Sequence, residues 1–139
     1  MSAPKRVTVL MGGMSSERVV SLSSGQGVAE ALRSKGYDVC TLDAQADLAA
    51  LVETLNTQKP DVVFNALHGR FGEDGCIQGI LDWMGIPYTH SGIRASATAM
   101  DKAAARAIFQ TAGLPVAEGM VVDIATLADA DPLPTPYVV

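Results

Sequence analysis

Over the first half of this chain, short apolar runs alternate with stretches of helical periodicity. That alternation limits the fold more than any other feature. Val7-Thr8-Val9-Leu10-Met11 is rich in β-branched residues and stops at Gly12-Gly13, the pattern of a strand buried in a parallel sheet. Val20, Ser24, Val28, Ala31 and Leu32 then recur at helical spacing, and Gly36 stands where a C-terminal cap belongs. Asp38-Val39-Cys40-Thr41-Leu42 reads as a second strand. Asp47 is placed to cap a helix that carries Leu48, Leu51, Val52 and Leu55 on one face. After Pro60, the run Asp61 to Leu67 reads as a third strand. Strand, helix, strand, helix, strand implies right-handed crossovers. The expected class is therefore α/β: an open, mostly parallel sheet with helices on both faces.

The segment His68-Gly69-Arg70-Phe71-Gly72-Glu73-Asp74-Gly75 has three glycines in eight residues and reads as a loop. A helix with Ile77, Ile80, Leu81 and Met84 follows and closes at Gly85. Ile86-Pro87-Tyr88-Thr89 suits a short edge strand, because proline has no ladder donor to offer. The character then changes. Asp101 precedes an Ala-rich stretch, Lys102 to Ala112, of high helix propensity, capped by Gly113. Met120-Val121-Val122 and Tyr137-Val138-Val139 read as strands, the second only just begun. A boundary near residues 95–102 gives a first domain at 1–98 and an incomplete second at 99–139. On this reading the chain is expected to be the N-terminal piece of a longer protein.

Composition narrows the function classes. The chain has 139 residues, 48% hydrophobic and 18% charged, enough apolar content for a core. Its formal net charge of −5 argues against a nucleic-acid surface, which needs clustered Lys and Arg. No apolar run approaches the ~20 residues that cross a bilayer, and no secretory signal precedes Val7. Cys40 and Cys76 lack close spacing and are expected as free, buried thiols. A soluble cytoplasmic protein is the expectation.

Ligands of open parallel sheets gather at the carboxyl ends of the strands. Two loops leave such ends. Gly12-Gly13-Met14-Ser15-Ser16-Glu17 permits close backbone approach and leads into a helix N-terminus, but it is neither a GxGxxG fingerprint nor a Walker A loop. Glu17 can receive the ammonium of a small amine or amino acid, or it can be a first-turn acid favoured by the helix dipole; spacing alone favours the second. His68 can reach an anionic ligand, or it can hydrogen-bond a neighbouring loop. Glu73 and Asp74 suit the cap of the following helix better than catalysis. Lys102 is by default a solvated helix residue. His68 and His90 have no metal-ligand spacing with either cysteine, and no GxSxG elbow is present.

Three segments carry more than pattern. Gly12-Gly13-Met14-Ser15-Ser16-Glu17-Arg18-Val19-Val20-Ser21-Leu22, Ala66 to Gly75, and Ala99-Met100-Asp101-Lys102 stand in the order found in D-alanine–D-alanine ligases. Gly85-Ile86-Pro87-Tyr88-Thr89 and Ala112-Gly113-Leu114-Pro115-Val116 also resemble that family. The resemblance runs from Val7 to Val139.

The resemblance implies an ATP-grasp enzyme with a Rossmann-like pre-ATP-grasp domain, followed by the start of the ATP-grasp central domain. The implied reaction joins two D-alanines through an acyl phosphate, for peptidoglycan synthesis. Its cofactors would be ATP and Mg²⁺, with Mn²⁺ as an alternative, and their ligands would lie mostly outside this chain. Carried over by motif, the catalytic residues are Glu17 and His68. Glu17 would bind the ammonium of the first D-alanine and Val20 its methyl group. His68 would lie by its carboxylate and the transferred phosphoryl group, and Lys102 would reach the ATP phosphates. Val19 departs from the acidic residue often found after the Arg of the first motif. The family also implies a homodimer, for which the helix near Trp83 and Met84 offers a surface. This piece alone is expected to be inactive, and it does not separate D-alanine from D-lactate or D-serine as second substrate. The alternative is a non-catalytic small-molecule-binding or interaction module of doubly wound fold.

Overall fold

In the computed structural model, the structure describes residues 4–125, 133, 134 and 136. The strand expected at Tyr137-Val138-Val139 lies outside the described residues. Eight elements follow in order: β1 (Arg6–Met11), α1 (Arg18–Ser34), β2 (Asp38–Asp43), α2 (Leu48–Gln58), β3 (Val62–Asn65), α3 (Cys76–Trp83), α4 (Ile93–Met100) and α5 (Lys102–Thr111). They divide into two compact units, Met1–Met100 and Asp101–Val139.

The sheet of the first unit is parallel throughout, in the order β2-β1-β3. Val7 pairs with Val39 on one side of β1 and with Val62 on the other. The central strand is buried on both faces, and its side chains alternate between two cores. Val7 and Val9 pack with Ala29, Val28 and Leu32 of α1. Leu10 points the other way, to Leu51 and Leu55 of α2 and to Ile77 and Leu81 of α3. Thr8 shares that second face and donates to Gln58 Oε1 at 2.7 Å. Helices therefore cover both faces, as the apolar runs require.

Local signals set the boundaries. Asp47 caps α2 by accepting from the Ala50 N–H, and Asp101 caps α5 by accepting from the Ala104 N–H. Gly36 takes φ +84° just past the end of α1. At the start of α3 the cap position is Gly75 at φ +94°, where a Cβ would press on the Ile93 carbonyl. Asp74 supports this start by accepting from the Cys76 N–H at 3.1 Å, whereas Glu73 does not cap.

Several expectations change. Ile86 to Thr89 is no full edge strand; it contributes one parallel bridge, Val63 to Tyr88. The Pro87 carbonyl accepts from Val63 N–H there, so the missing proline donor is not needed. Among the described residues, 120–122 take no strand pairing, and Val121 is 83% exposed. Helix α4 was not expected. Both cysteines are free, but neither is buried: Cys40 is half-buried and Cys76 exposed. Among the described residues no helix is long and apolar enough to cross a membrane.

Leu10 is fully buried where α2 and α3 meet the sheet. Leu10→Ala should cost about 2–5 kcal/mol in urea unfolding; a loss under about 1 kcal/mol would contradict this packing.

Candidate functional site

Two loops meet at the carboxyl edge of the sheet: residues 12–17 after β1 and residues 66–75 after β3. Small polar side chains join them. The buried Ser21 hydroxyl accepts from Gly12 N–H at 2.9 Å and donates to the Ala66 carbonyl at 2.7 Å. Ser15 Oγ donates to the His68 carbonyl at 2.8 Å. One serine thus ties the two loops at their roots and the other at their tips.

Asn65 organises the second loop. Its Oδ1 accepts from Leu67 N–H at 3.1 Å, and its Nδ2 donates to the Gly72 carbonyl at 2.8 Å. Its backbone N–H donates to Thr89 Oγ1, and its carbonyl meets His90 Nε2 at 2.7 Å. Gln78 Nε2 adds a second donor to the Gly72 carbonyl at 2.9 Å. Within the loop, Glu73 Oε2 accepts from Gly69 N–H and Asp74 Oδ2 from Phe71 N–H. These carboxylates hold the chain at Phe71, a non-glycine residue at φ +68°.

Glu17, His68 and Glu73 converge. A carboxylate oxygen of each acid and a ring nitrogen of His68 all lie within 4.8 Å of one another. Glu73 Oε1 is 3.8 Å from His68 Nδ1. Glu17 occupies the cap position of α1, yet its side chain makes no capping bond. Its carboxylate instead lies over Gly69, where an added Cβ would come within 3.6 Å of Oε2. The carboxylate thus makes no hydrogen bond to the first turn of α1. Two exposed carboxylates beside one imidazole can attract a cationic group.

Val20 stands on the first turn of α1 and is 57% exposed. Lys102 opens α5 in the second unit and is exposed there. The hydrogen bond of Cys76 to Asp74, then burial, push the thiol above its usual range. Burial pushes Asp74 up, but the N–H groups of Phe71 and Cys76 outweigh it and hold the carboxyl below its ordinary value.

Residues that sequence spacing did not reveal fix the frame. Arg18 grips Asp43 with two parallel bonds, 2.7 and 2.6 Å, and also donates to the Gly13 carbonyl. Gly12, at φ +79°, passes so close that a Cβ would collide with Asp43 Oδ1. The Arg18 hydrogen bonds hold the Asp43 carboxyl below its usual range, against a smaller effect of burial. A depressed folded value means that the stabilisation is complete above the unfolded carboxylate value of about 3.9 and is lost as pH falls through the folded value. Asp43→Asn should therefore lower the urea midpoint at pH 7, and the gap to the parent should be smaller at pH 3. A gap of equal size at both pH values would contradict this role.

Comparison with known proteins agrees with this architecture. A family model described as D-ala D-ala ligase N-terminus matches residues 43–91. The D-alanine–D-alanine ligase of Acidiphilium cryptum is 64% identical over 135 residues, which is 97% of this chain and 44% of that protein. The corresponding ligase of Gluconobacter oxydans is 61% identical over 134 residues, 96% of this chain and 44% of that protein. The chain thus spans less than half the length of these curated relatives. The crystal structure of the Bacillus anthracis D-alanine–D-alanine ligase superposes with a TM-score of 0.69 at 35% identity, covering 78% of this chain and 35% of that one. A second structure of that enzyme, complexed with ATP, gives a TM-score of 0.68 at 35% identity over 78% of this chain and 37% of that one. Sequence, fold and family model agree that this chain belongs to the D-alanine–D-alanine ligase family, which it matches in the N-terminal part.

Proposed function

We propose that this chain serves the ATP-dependent joining of two D-alanines into D-alanyl-D-alanine, the dipeptide used in peptidoglycan synthesis. The observation that carries the reading is the convergence of Glu17, His68 and Glu73 within 4.8 Å at the carboxyl edge of the sheet. The curated relatives are named as ligases, and a solved relative is complexed with ATP. Nothing in those comparisons favours the non-catalytic alternative.

In this reading each residue has a role set by its chemistry. Glu17 binds the ammonium of the first D-alanine by a charge-assisted hydrogen bond. Val20, exposed one turn into α1, offers an apolar contact to the methyl group. His68 lies beside the substrate carboxylate, and Glu73 and the Ser15 hydroxyl hold its loop. A carboxylate becomes a competent electrophile only when one oxygen is made a leaving group. ATP supplies the phosphoryl group for that step, giving an acyl phosphate that the second amine attacks with loss of phosphate.

The residues present fit one part of a nucleotide site. Lys102 is exposed on the first turn of α5, where its ammonium and the free N–H groups of the helix suit a phosphate. The Glu17–His68–Glu73 trio does not suit Mg²⁺, which takes oxygen ligands in near-octahedral array. No step here is assigned to a metal.

The test is D-alanine-dependent ADP formation by the native protein. Glu17→Gln removes one charge-assisted bond, about 1.5–3 kcal/mol, and should raise KM for D-alanine by about 10- to 150-fold. Absence of D-alanine-dependent turnover in the parent, or an unchanged KM in the variant, would contradict the reading. A homodimer is part of the same proposal. Trp83, at the end of α3, is 94% exposed and is not the core residue its type suggests. If that surface is the contact, Trp83→Asp should halve the mass seen by light scattering; an unchanged mass would exclude it.

A further inference from the structure

A cavity of about 180 Å³ opens at the carboxyl edge of the sheet, on the face that α2 and α3 cover. Buried Leu51, Leu67 and Ile77 belong to its wall, and so do exposed Met14, Leu48 and Phe71. The cavity therefore runs from the core to solvent. Three large apolar side chains around one opening form a patch, unlike apolar residues scattered singly over a surface. Phe71 takes its place there with a left-handed backbone, φ +68°, which a bulky residue rarely adopts.

The charge of the wall has one sign. Among the described residues, no Asp or Glu lines the cavity, whereas Arg70 and His68 both do. The Arg70 guanidinium lies 4.7 Å from the centre of the Phe71 ring. Stacking of this kind uses the flat face of the guanidinium and leaves its N–H donors free. Among the described residues, no carboxylate lies within ion-pair distance of Arg70. Acids outnumber Lys and Arg by 15 to 10 in this chain, so an arginine without one is available to an outside anion.

An apolar cavity with a cation in its wall suits an anion with a compact apolar body. Size limits that body. An apolar cavity of ~150 Å³ accepts benzene, so this one has room for a single ring. The guanidinium fork matches a carboxylate through two parallel hydrogen bonds.

We propose that this cavity binds a small aromatic monocarboxylate, with the ring against Leu51, Leu67 and Ile77 and the carboxylate on Arg70. The ligand is an anion, so it is not one that the Glu17 carboxylate would attract. The site is additional to the ligase reading and does not rest on it.

Cys76 lines the same cavity and is exposed, so its thiol reports occupancy. The native protein is alkylated with iodoacetamide, a neutral reagent, at fixed pH, and peptide mass spectrometry follows Cys76. The probes are benzoate, benzyl alcohol and acetate: ring with charge, ring without charge, charge without ring. Benzoate should slow the modification of Cys76 saturably and leave that of Cys40, outside the cavity, unchanged. Benzyl alcohol should need about 10-fold more for the same protection, and acetate should give none. Arg70→Gln should raise the half-protecting benzoate concentration about 10-fold and leave that of benzyl alcohol as it is. Midpoints are compared rather than rates, because Arg70 also acts on the Cys76 thiol. Arg70 is exposed, and an unchanged urea midpoint confirms that the variant is folded.

No protection at about 10 mM benzoate, where a site of about 1 mM Kd is nine-tenths filled, overturns the proposal. Equal protection by benzyl alcohol overturns it in the parent protein, with no variant needed. An unchanged benzoate midpoint in the variant removes Arg70 and overturns it too. Protection that rises with protein concentration alone puts a second copy of the chain in the cavity, and so contradicts it. None of these readouts involves D-alanine, so a failure here leaves the ligase reading standing, and the reverse.

Discussion

The hydrogen bonds of one buried asparagine hold the site together. Asn65 ends β3 at 2% exposure, and its side chain and backbone together engage Leu67, Gly72, Thr89 and His90. A buried amide left without partners is costly, so the turn that satisfies it is strongly preferred over the alternatives. That turn delivers His68 to the carboxyl edge of the sheet. Gln78, from α3, reinforces the same Gly72 carbonyl. The loop is thus fixed from β3 and from α3, while Ser15 and Ser21 fix it to the loop after β1.

The charge layout follows from this frame. Asp43 and Asp74 are committed to structure, the first to Arg18 and the second to backbone N–H groups. Glu73 is committed in part, through Gly69 N–H. Glu17 remains with no capping role at the start of its helix. An exposed carboxylate in that state is open to a ligand cation. This is the physical ground for placing an amino-acid ammonium there.

Much of the fold was legible because period and punctuation agreed. β1, α1, β2 and α2 lie where their apolar patterns and the signals at Gly36 and Asp47 place them, within a residue or two. Helix α4 escaped because its eight residues carry only two large apolar side chains, Ile93 and Met100; its one buried residue is Ser96, held by the Ser91 carbonyl. Residues 120–122 misled in the opposite way, having strand composition but no strand pairing among the described residues. Glu17 and His68 were singled out from loop position and resemblance. The frame was not, because a pair such as Arg18–Asp43 joins residues far apart in the chain. Asn65 and Gln78 did leave a trace, as polar residues within buried apolar runs, a placement that calls for a hydrogen-bonding reason.

The central claim is that the trio at the sheet edge receives the ammonium of an amino acid. The most direct test is a crystal structure of the protein with D-alanine bound. The account predicts the ammonium within hydrogen-bond distance of the Glu17 carboxylate, about 2.7–2.9 Å, with the substrate carboxylate beside His68. D-alanine bound with its ammonium away from Glu17, or at another part of the chain, would contradict it.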